Sequence, residues 1–247
     1  MDRLRTSLTR FRLDERVVII PLLVLILGVW FFAELADEVL EGSTQSFDEW
    51  AVRVLRDPDN LSNPLGPPWL QEIGRDLTAL GGVAVLTLTI AGVVGFLYLQ
   101  RKRHSAWFVL AASAGGLFLS LGLKQFFHRE RPGIVPYLST VYTQSFPSGH
   151  SMLSAAIYLT LGALLARTVK DRATRIYCVL VASMLTGLVG ISRVYLGVHY
   201  PTDVLAGWAA GTCWAVLCWI VAAYLQRRGA VEKPTDTTAS LGEHPGI

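Results

Sequence analysis

Residues Gln144–Ser151 read QSFPSGHS, and they run straight into Met152–Ala166, MLSAAIYLTLGALLA. The second stretch is apolar over a length that can enter a bilayer. The first holds a proline, a glycine, serines and an ionisable histidine. A polar mouth on an apolar run is the pattern that decides the fold.

Working outward, six blocks approach the ~20 residues that span ~30 Å of hydrocarbon. They are Val17–Leu35, Leu77–Leu99, Ser105–Leu123, Met152–Ala166, Ile176–Ile191 and Val204–Leu225. The composition agrees: 52% of the 247 residues are hydrophobic and 17% are charged, against about 25% charged in a soluble domain. The sequence therefore predicts an all-α polytopic membrane protein with six transmembrane helices. The first block is long for a signal-peptide core, and no A-x-A site follows it, so a retained anchor is expected. Cys178, Cys213 and Cys218 all lie inside apolar segments. Their spacing suits neither a metal site nor a disulfide framework, and they read as packing or lipid-side residues.

Charge sets the expected orientation. Arg3, Arg5, Arg10, Arg12 and Arg16 precede the first span. Arg101, Lys102 and Arg103 follow the second, and Arg167, Lys170, Arg172 and Arg175 follow the fourth. Arg227, Arg228 and Lys233 follow the sixth. These are most of the 22 lysines and arginines, and alternating spans put them all on one side. Positive charge marks the cytoplasmic side, so both termini are expected there. The segment 1–16 is then cytoplasmic, 36–76 external, 77–226 a helical bundle, and 229–247 a disordered cytoplasmic tail rich in Thr, Pro and charge. His104 and His244 also fall on the cytoplasmic side. The net charge of +3 is small, and no nucleic-acid partner is expected.

The external segment holds FDEWAVRVLRD, with Phe47, Trp50 and Val54 at helical spacing. DPDNLSNPLGPP reads as a loop, and Trp50 and Trp69 suit a membrane interface. Short amphipathic helices are expected here, as a surface cover without chemistry.

Three polar clusters fall at the external ends of spans. They are KQFFHRERP from Lys124, PSGH from Pro147, and SRVYLGVHYPTD from Ser192. Cations at a bilayer edge are costly unless they face a polar cavity or an anion. Lys124, Arg131 and Arg193 together suit a phosphate. Ser148 and Gly149 begin the fourth span, where free N–H groups and the helix dipole favour an anion. Pro147 fits a helix start. Asp203 follows His199 by about one helical turn and can fix its tautomer. The other ring nitrogen of His199 is then free to attack phosphorus, and His150 can protonate the departing oxygen.

Singly, each feature has a plainer reading. A histidine at a span mouth is usually a packing residue. His-x3-Asp can be a salt bridge or half a metal site, Lys124 and Arg129 can snorkel, and PSGH can be a turn. Agreement in spacing and side favours the shared chemical reading. No role is assigned to His128 or Glu130. Gly207 and Gly211, one turn below Asp203, suit close helix packing around the site.

The sequence resembles the type 2 phosphatidic acid phosphatase (PAP2) family of membrane lipid phosphatases, relatives of vanadium haloperoxidases. The family pattern is K-x6-R-P, P-S-G-H and S-R-x5-H-x3-D. It reads here as Lys124 to Arg131-Pro132, Pro147 to His150, and Ser192-Arg193 to His199 and Asp203. The resemblance implies phosphate-ester hydrolysis without metal or cofactor. It implies His199 as nucleophile, Asp203 as its orienting partner and His150 as general acid. Lys124, Arg131, Ser148, Gly149 and Arg193 would hold phosphate oxygens. The expected substrate is a lipid phosphate or pyrophosphate within the membrane. A lipid phosphotransferase would show the same motifs. A transporter would scatter its charges in depth, whereas here they gather at one face. Six spans argue against a haloperoxidase, and the intact motifs argue against an inert binding protein.

Overall fold

The structure, a computed structural model, describes residues 15–139 and 143–228. The expectations for the first 14 residues, and for the tail with Lys233 and His244, lie outside the described residues. Helix α1 covers Glu15–Glu41, α2 Gln45–Val54, α3 Pro68–Ala79, α4 Val83–Leu99 and α5 Arg103–Phe126. Helix α6 covers Gly149–Thr168, with a π turn at Ala155–Leu159. Helices α7, Arg172–Tyr195, and α8, Pro201–Arg227, complete the order. Among the described residues, five helices are long and apolar enough to cross a membrane, and the total is six when the bent pair α3–α4 is counted as one span. The protein is an integral membrane protein with α1, α4, α5, α6, α7 and α8 as its long apolar elements.

Three details differ from the sequence reading. The block Leu77–Leu99 is not one helix: α3 ends at Ala79, and α4 starts at Val83 after a bend of 48°. The bend follows from packing at Gly81. A Cβ there would lie 2.4 Å from Val189 Cγ1 and 3.2 Å from the His150 carbonyl. The loop DPDNLSNPLGPP contains a short antiparallel hairpin, with β1 at Arg56–Asp57 and β2 at Asn60–Pro64. Helix α2 is also more than the surface cover expected, because its polar face turns inward. Phe47, Trp50 and Val54 are exposed, while Asp48 and Val52 are buried. In a membrane protein the apolar stripe of such a helix can face lipid, so the face that meets protein can be polar.

The same rule describes the bundle surface. Leu88, Trp107, Phe118, Leu180 and Ile191 point outward and are exposed. A water-soluble monomer rarely displays so much contiguous apolar surface. The interior instead holds small residues. Helix α8 packs on α1 and on α6, and α6 meets it through Ala155 and Ala156 opposite Gly211. Cys213 and Cys218 are buried and Cys178 is half-buried.

Helix starts are encoded locally at the end that carries the polar clusters. Ser148 caps α6 by accepting from Ser151 N at 3.4 Å. Pro201 occupies the first turn of α8, where the missing N–H costs nothing. Asp203 accepts from Tyr200 N at 2.9 Å, reaching back to the cap residue. Between α7 and α8 the chain reverses through Gly197 at φ +71, a region open to glycine. A Cβ there would also meet Arg56 Nη2 at 2.3 Å. This tight turn delivers His199 to the mouth of α8.

Candidate active site

His199 lies on the turn before α8 and not on the helix itself. Its partnership with Asp203 therefore does not arise from two residues on one helical face. It arises because Asp203, in the first turn of α8, reaches back past the helix start. The Nδ1 of His199 lies 3.3 Å from Asp203 Oδ2. On the other side of the ring, Arg131 Nη1 lies 3.2 Å from Nε2. A guanidinium only donates, so Nε2 accepts and the proton belongs on Nδ1, facing the carboxylate. That tautomer leaves a lone pair on Nε2. His199 is 1% exposed, and burial lowers its pKa from 6.5 to about 3, against the opposing pull of Asp203. The ring is therefore neutral at physiological pH.

Asp203 is fully buried. Its Oδ2 accepts from Ser145 Oγ at 2.5 Å and from Tyr200 N at 2.9 Å. Its Oδ1 accepts from Arg129 Nη1 at 2.7 Å. A buried carboxylate with this many donors is fixed in orientation.

The cations sit around the same mouth. Arg131 donates from Nε to Thr143 O at 2.8 Å and from Nη1 to Val198 O at 2.6 Å. Lys124, in the last turn of α5, donates to Gln144 O at 2.7 Å. Backbone carbonyls at the loop before α6 thus hold both side chains in place. A Cβ on Gly149 would stand 3.0 Å from Lys124 Cε, so the bare glycine is what lets Lys124 lie across the start of α6. Arg193, in the last turn of α7, is 2% exposed and donates from Nη1 to Thr78 Oγ1 at 2.8 Å. Its Nε has no partner among the described residues. An unsatisfied buried donor costs ~1–3 kcal/mol, and an anionic oxygen at the mouth would satisfy it. His150 is half-buried in the first turn of α6, beside Gly81.

Ser148 differs in one respect from expectation. Its backbone N–H is spent on the Asp203 carbonyl at 2.9 Å, which ties α6 to α8. Its hydroxyl accepts from Ser151 N and, at 3.0 Å, from Ser151 Oγ. The proton of the Ser148 hydroxyl is still free to be donated.

Sequence reasoning missed four residues that the fold brings here. Ser145 stands against both Asp203 and His199, with its Oγ 3.3 Å from Nδ1. Thr78 orients Arg193. Arg129 is not snorkelling: its side chain bridges Asp203 and Asp48 at 2.7 and 2.6 Å. Asp48, from the segment read as a cover without chemistry, is fully buried. The one usable signal was an Asp four residues before Val52 on the helix face opposite the aromatic stripe.

Residues 105–227 match the PAP2 superfamily. The chain is 32% identical to phosphatidylglycerophosphatase B of Bacillus subtilis (strain 168) over 184 residues, covering 73% of this chain and 86% of that one. It is 30% identical to the lipid A 1-phosphatase of Rhizobium etli over 179 residues, covering 63% and 72%. The fold matches the crystal structure of a transmembrane PAP2-type phosphatidylglycerolphosphate phosphatase from Bacillus subtilis. That match has a TM-score of 0.75 at 29% identity and covers 82% of this chain and 98% of that one. Motifs, fold and relatives agree, and the chain belongs to the PAP2 superfamily of membrane lipid phosphatases.

Proposed function

We propose that the protein hydrolyses the terminal phosphate of a lipid phosphate or pyrophosphate through a phosphohistidine, without a metal. Candidate substrates are phosphatidylglycerophosphate, phosphatidic acid and undecaprenyl pyrophosphate. In the first step Arg131 Nη1 exchanges its contact with Nε2 for a phosphate oxygen, the freed Nε2 lone pair of His199 attacks phosphorus, and the bond to the leaving oxygen breaks in line. His150 donates its proton to that oxygen. In the second step His150 takes a proton from water, and the hydroxide attacks phosphorus. The P–N bond then breaks, returning its electron pair to Nε2. Lys124, Arg131, Arg193, the Ser148 hydroxyl and the first turn of α6 carry the charge on the equatorial oxygens. Fixed donors of this kind need no reorganisation as charge develops. The site faces the outer side of the membrane, with both termini cytoplasmic, as the basic links between the spans imply.

The observation that carries this reading is the orientation of the His199 ring between Asp203 and Arg131. Its Nδ1 faces Asp203, and its Nε2 is presented to Arg131 as an acceptor. The test is phosphate release from a panel of purified lipid phosphates and pyrophosphates, with His199→Ala as control. Release by the parent chain and none by the variant is expected, together with an acid-labile phosphoenzyme in the parent alone. Full activity in His199→Ala would overturn the nucleophile assignment. Label found on a second lipid instead of in free phosphate would identify a phosphotransferase.

A further inference from the structure

Asp48 needs an explanation that a surface cover does not supply. It sits on α2, far in sequence from the motifs, yet it is fully buried. Its Oδ2 accepts from Arg129 Nη2 and from Thr202 Oγ1, each at 2.6 Å, and its Oδ1 accepts from Thr202 N at 3.2 Å. Arg129 uses its two arms on two carboxylates, Nη2 on Asp48 and Nη1 on Asp203. The Arg129 guanidinium also stacks over the Tyr200 ring at 4.5 Å. Burying charge is expensive. One carboxylate would have sufficed to pair Arg129, and the fold supplies two.

The arithmetic of charge suggests why. Asp203 supports the positive charge that develops on His199 as Nε2 attacks. Arg129 alone, 2.7 Å from Asp203, would cancel much of that support. A second carboxylate on the far side of Arg129 restores it. We propose that Asp48 and Arg129 are positioning residues for the reaction: Asp48 balances Arg129, and the balanced pair holds Asp203 in register while leaving its negative charge available to His199. This inference rests on the phosphohistidine reading above.

The other charged groups facing His199 are the same in all four proteins. They are Arg131 from the loop before α6, Arg193 from α7 and Asp203 from α8. Lys124 from α5 lies on the same side, beside Gly149. Around the Asp48 end, Glu49 is engaged by Arg53 at 3.5 Å and by Gln45 at 2.6 Å.

The experiment is the pH profile of kcat/KM for lipid phosphate hydrolysis by the parent, Asp48→Asn, Arg129→Gln and the double variant, with unfolding midpoints recorded for each. Removing the Asp48 anion disfavours the imidazolium, so the acid limb set by His199 moves to lower pH. Removing the Arg129 cation favours it, so that limb moves to higher pH. A unit charge roughly 10 Å away at an effective dielectric of about 20 shifts the limb by about one pH unit. The double variant should return towards the parent, and Asp48→Glu should keep the parent profile. Asp48→Asn should also lower kcat by about tenfold with little change in KM, the same energy read as a rate. Limbs that coincide in all four proteins would overturn the proposal, whatever happens to the unfolding midpoints. Lower midpoints with an unmoved limb would leave Asp48 as a fold staple only. A parent chain that releases no phosphate from any lipid would instead sink the underlying functional reading.

Discussion

Gly207 of α8 lies against the first turn of α6, and Gly207→Ala tests whether that close approach sets the geometry of the site. A Cβ at 207 would stand 2.7 Å from the Ser148 carbonyl, 3.0 Å from Ser151 Cβ and 3.1 Å from Met152 N. All three are backbone or Cβ atoms, so no rotamer change relieves the contact. Interiors packed to crystal density have no slack, so the helices must part by roughly half an ångström. Helix α6 carries Ser148, Gly149 and His150, and α8 carries Asp203, which orients His199. Parting them moves the two halves of the site away from each other. A misplacement of about 1 Å costs on the order of 100-fold in rate, so half of that predicts roughly a tenfold loss in kcat. The assay is phosphate release by the purified protein in lipid, with the unfolding midpoint measured alongside. Gly187→Ala in α7 is the control, because a Cβ there meets none of the described residues within 4 Å. It should leave the rate unchanged, and an unstrained Gly→Ala exchange adds about 0.4–1 kcal/mol of stability. A Gly207→Ala protein that keeps the parent kcat would refute the idea that this helix contact positions the reacting groups.

Ser145→Ala removes a donor 2.5 Å from Asp203 Oδ2. A hydrogen bond to a charged group is worth about 1.5–3 kcal/mol, so kcat should fall by at least tenfold, and an unchanged kcat would deny Ser145 any part in holding the carboxylate. His150→Ala should slow phosphoenzyme formation more for poor leaving groups than for good ones, measured across substituted aryl phosphates. Equal slowing across that series would count against His150 as the acid. His199 also predicts a pH effect on stability. Its folded pKa is lowered from 6.5 to about 3, so in that window the unfolded chain binds a proton that the folded ring does not. Stability therefore rises with pH across the window and is lost as pH falls through it. The unfolding midpoint of His199→Gln should drop less than the parent's on acidification below pH 6.5; equal drops would contradict the burial argument.

Much of the site was legible in the sequence, because covalent spacing and membrane sidedness constrain it. Lys124 can only lie at the end of α5 with Arg131 just beyond it, and Ser148 to His150 can only open α6. The pairing of His199 with Asp203 was foreseeable from their spacing, although the geometry behind it is a helix start and not a helix face. The α2 helix was harder to read. Its apolar stripe of Phe47, Trp50 and Val54 was read correctly as a stripe, but in a bilayer such a stripe does not say which way protein lies.

The sequence by itself determined the apolar spans, the polar mouths and the charged side chains that gather at them, since these follow from hydropathy, helix starts and side-chain chemistry. Only the tertiary structure decided that α3 and α4 bend at Gly81 so that Thr78 meets Arg193. It alone placed Ser145 on Asp203, and joined Asp48 across 81 residues of chain to Arg129, which holds the same carboxylate. The physical reason is that hydrogen bonds and ion pairs between distant segments depend on how helices pack. Packing is set by small residues such as Gly81, Gly197 and Gly207, whose importance lies in what their missing side chains allow to approach.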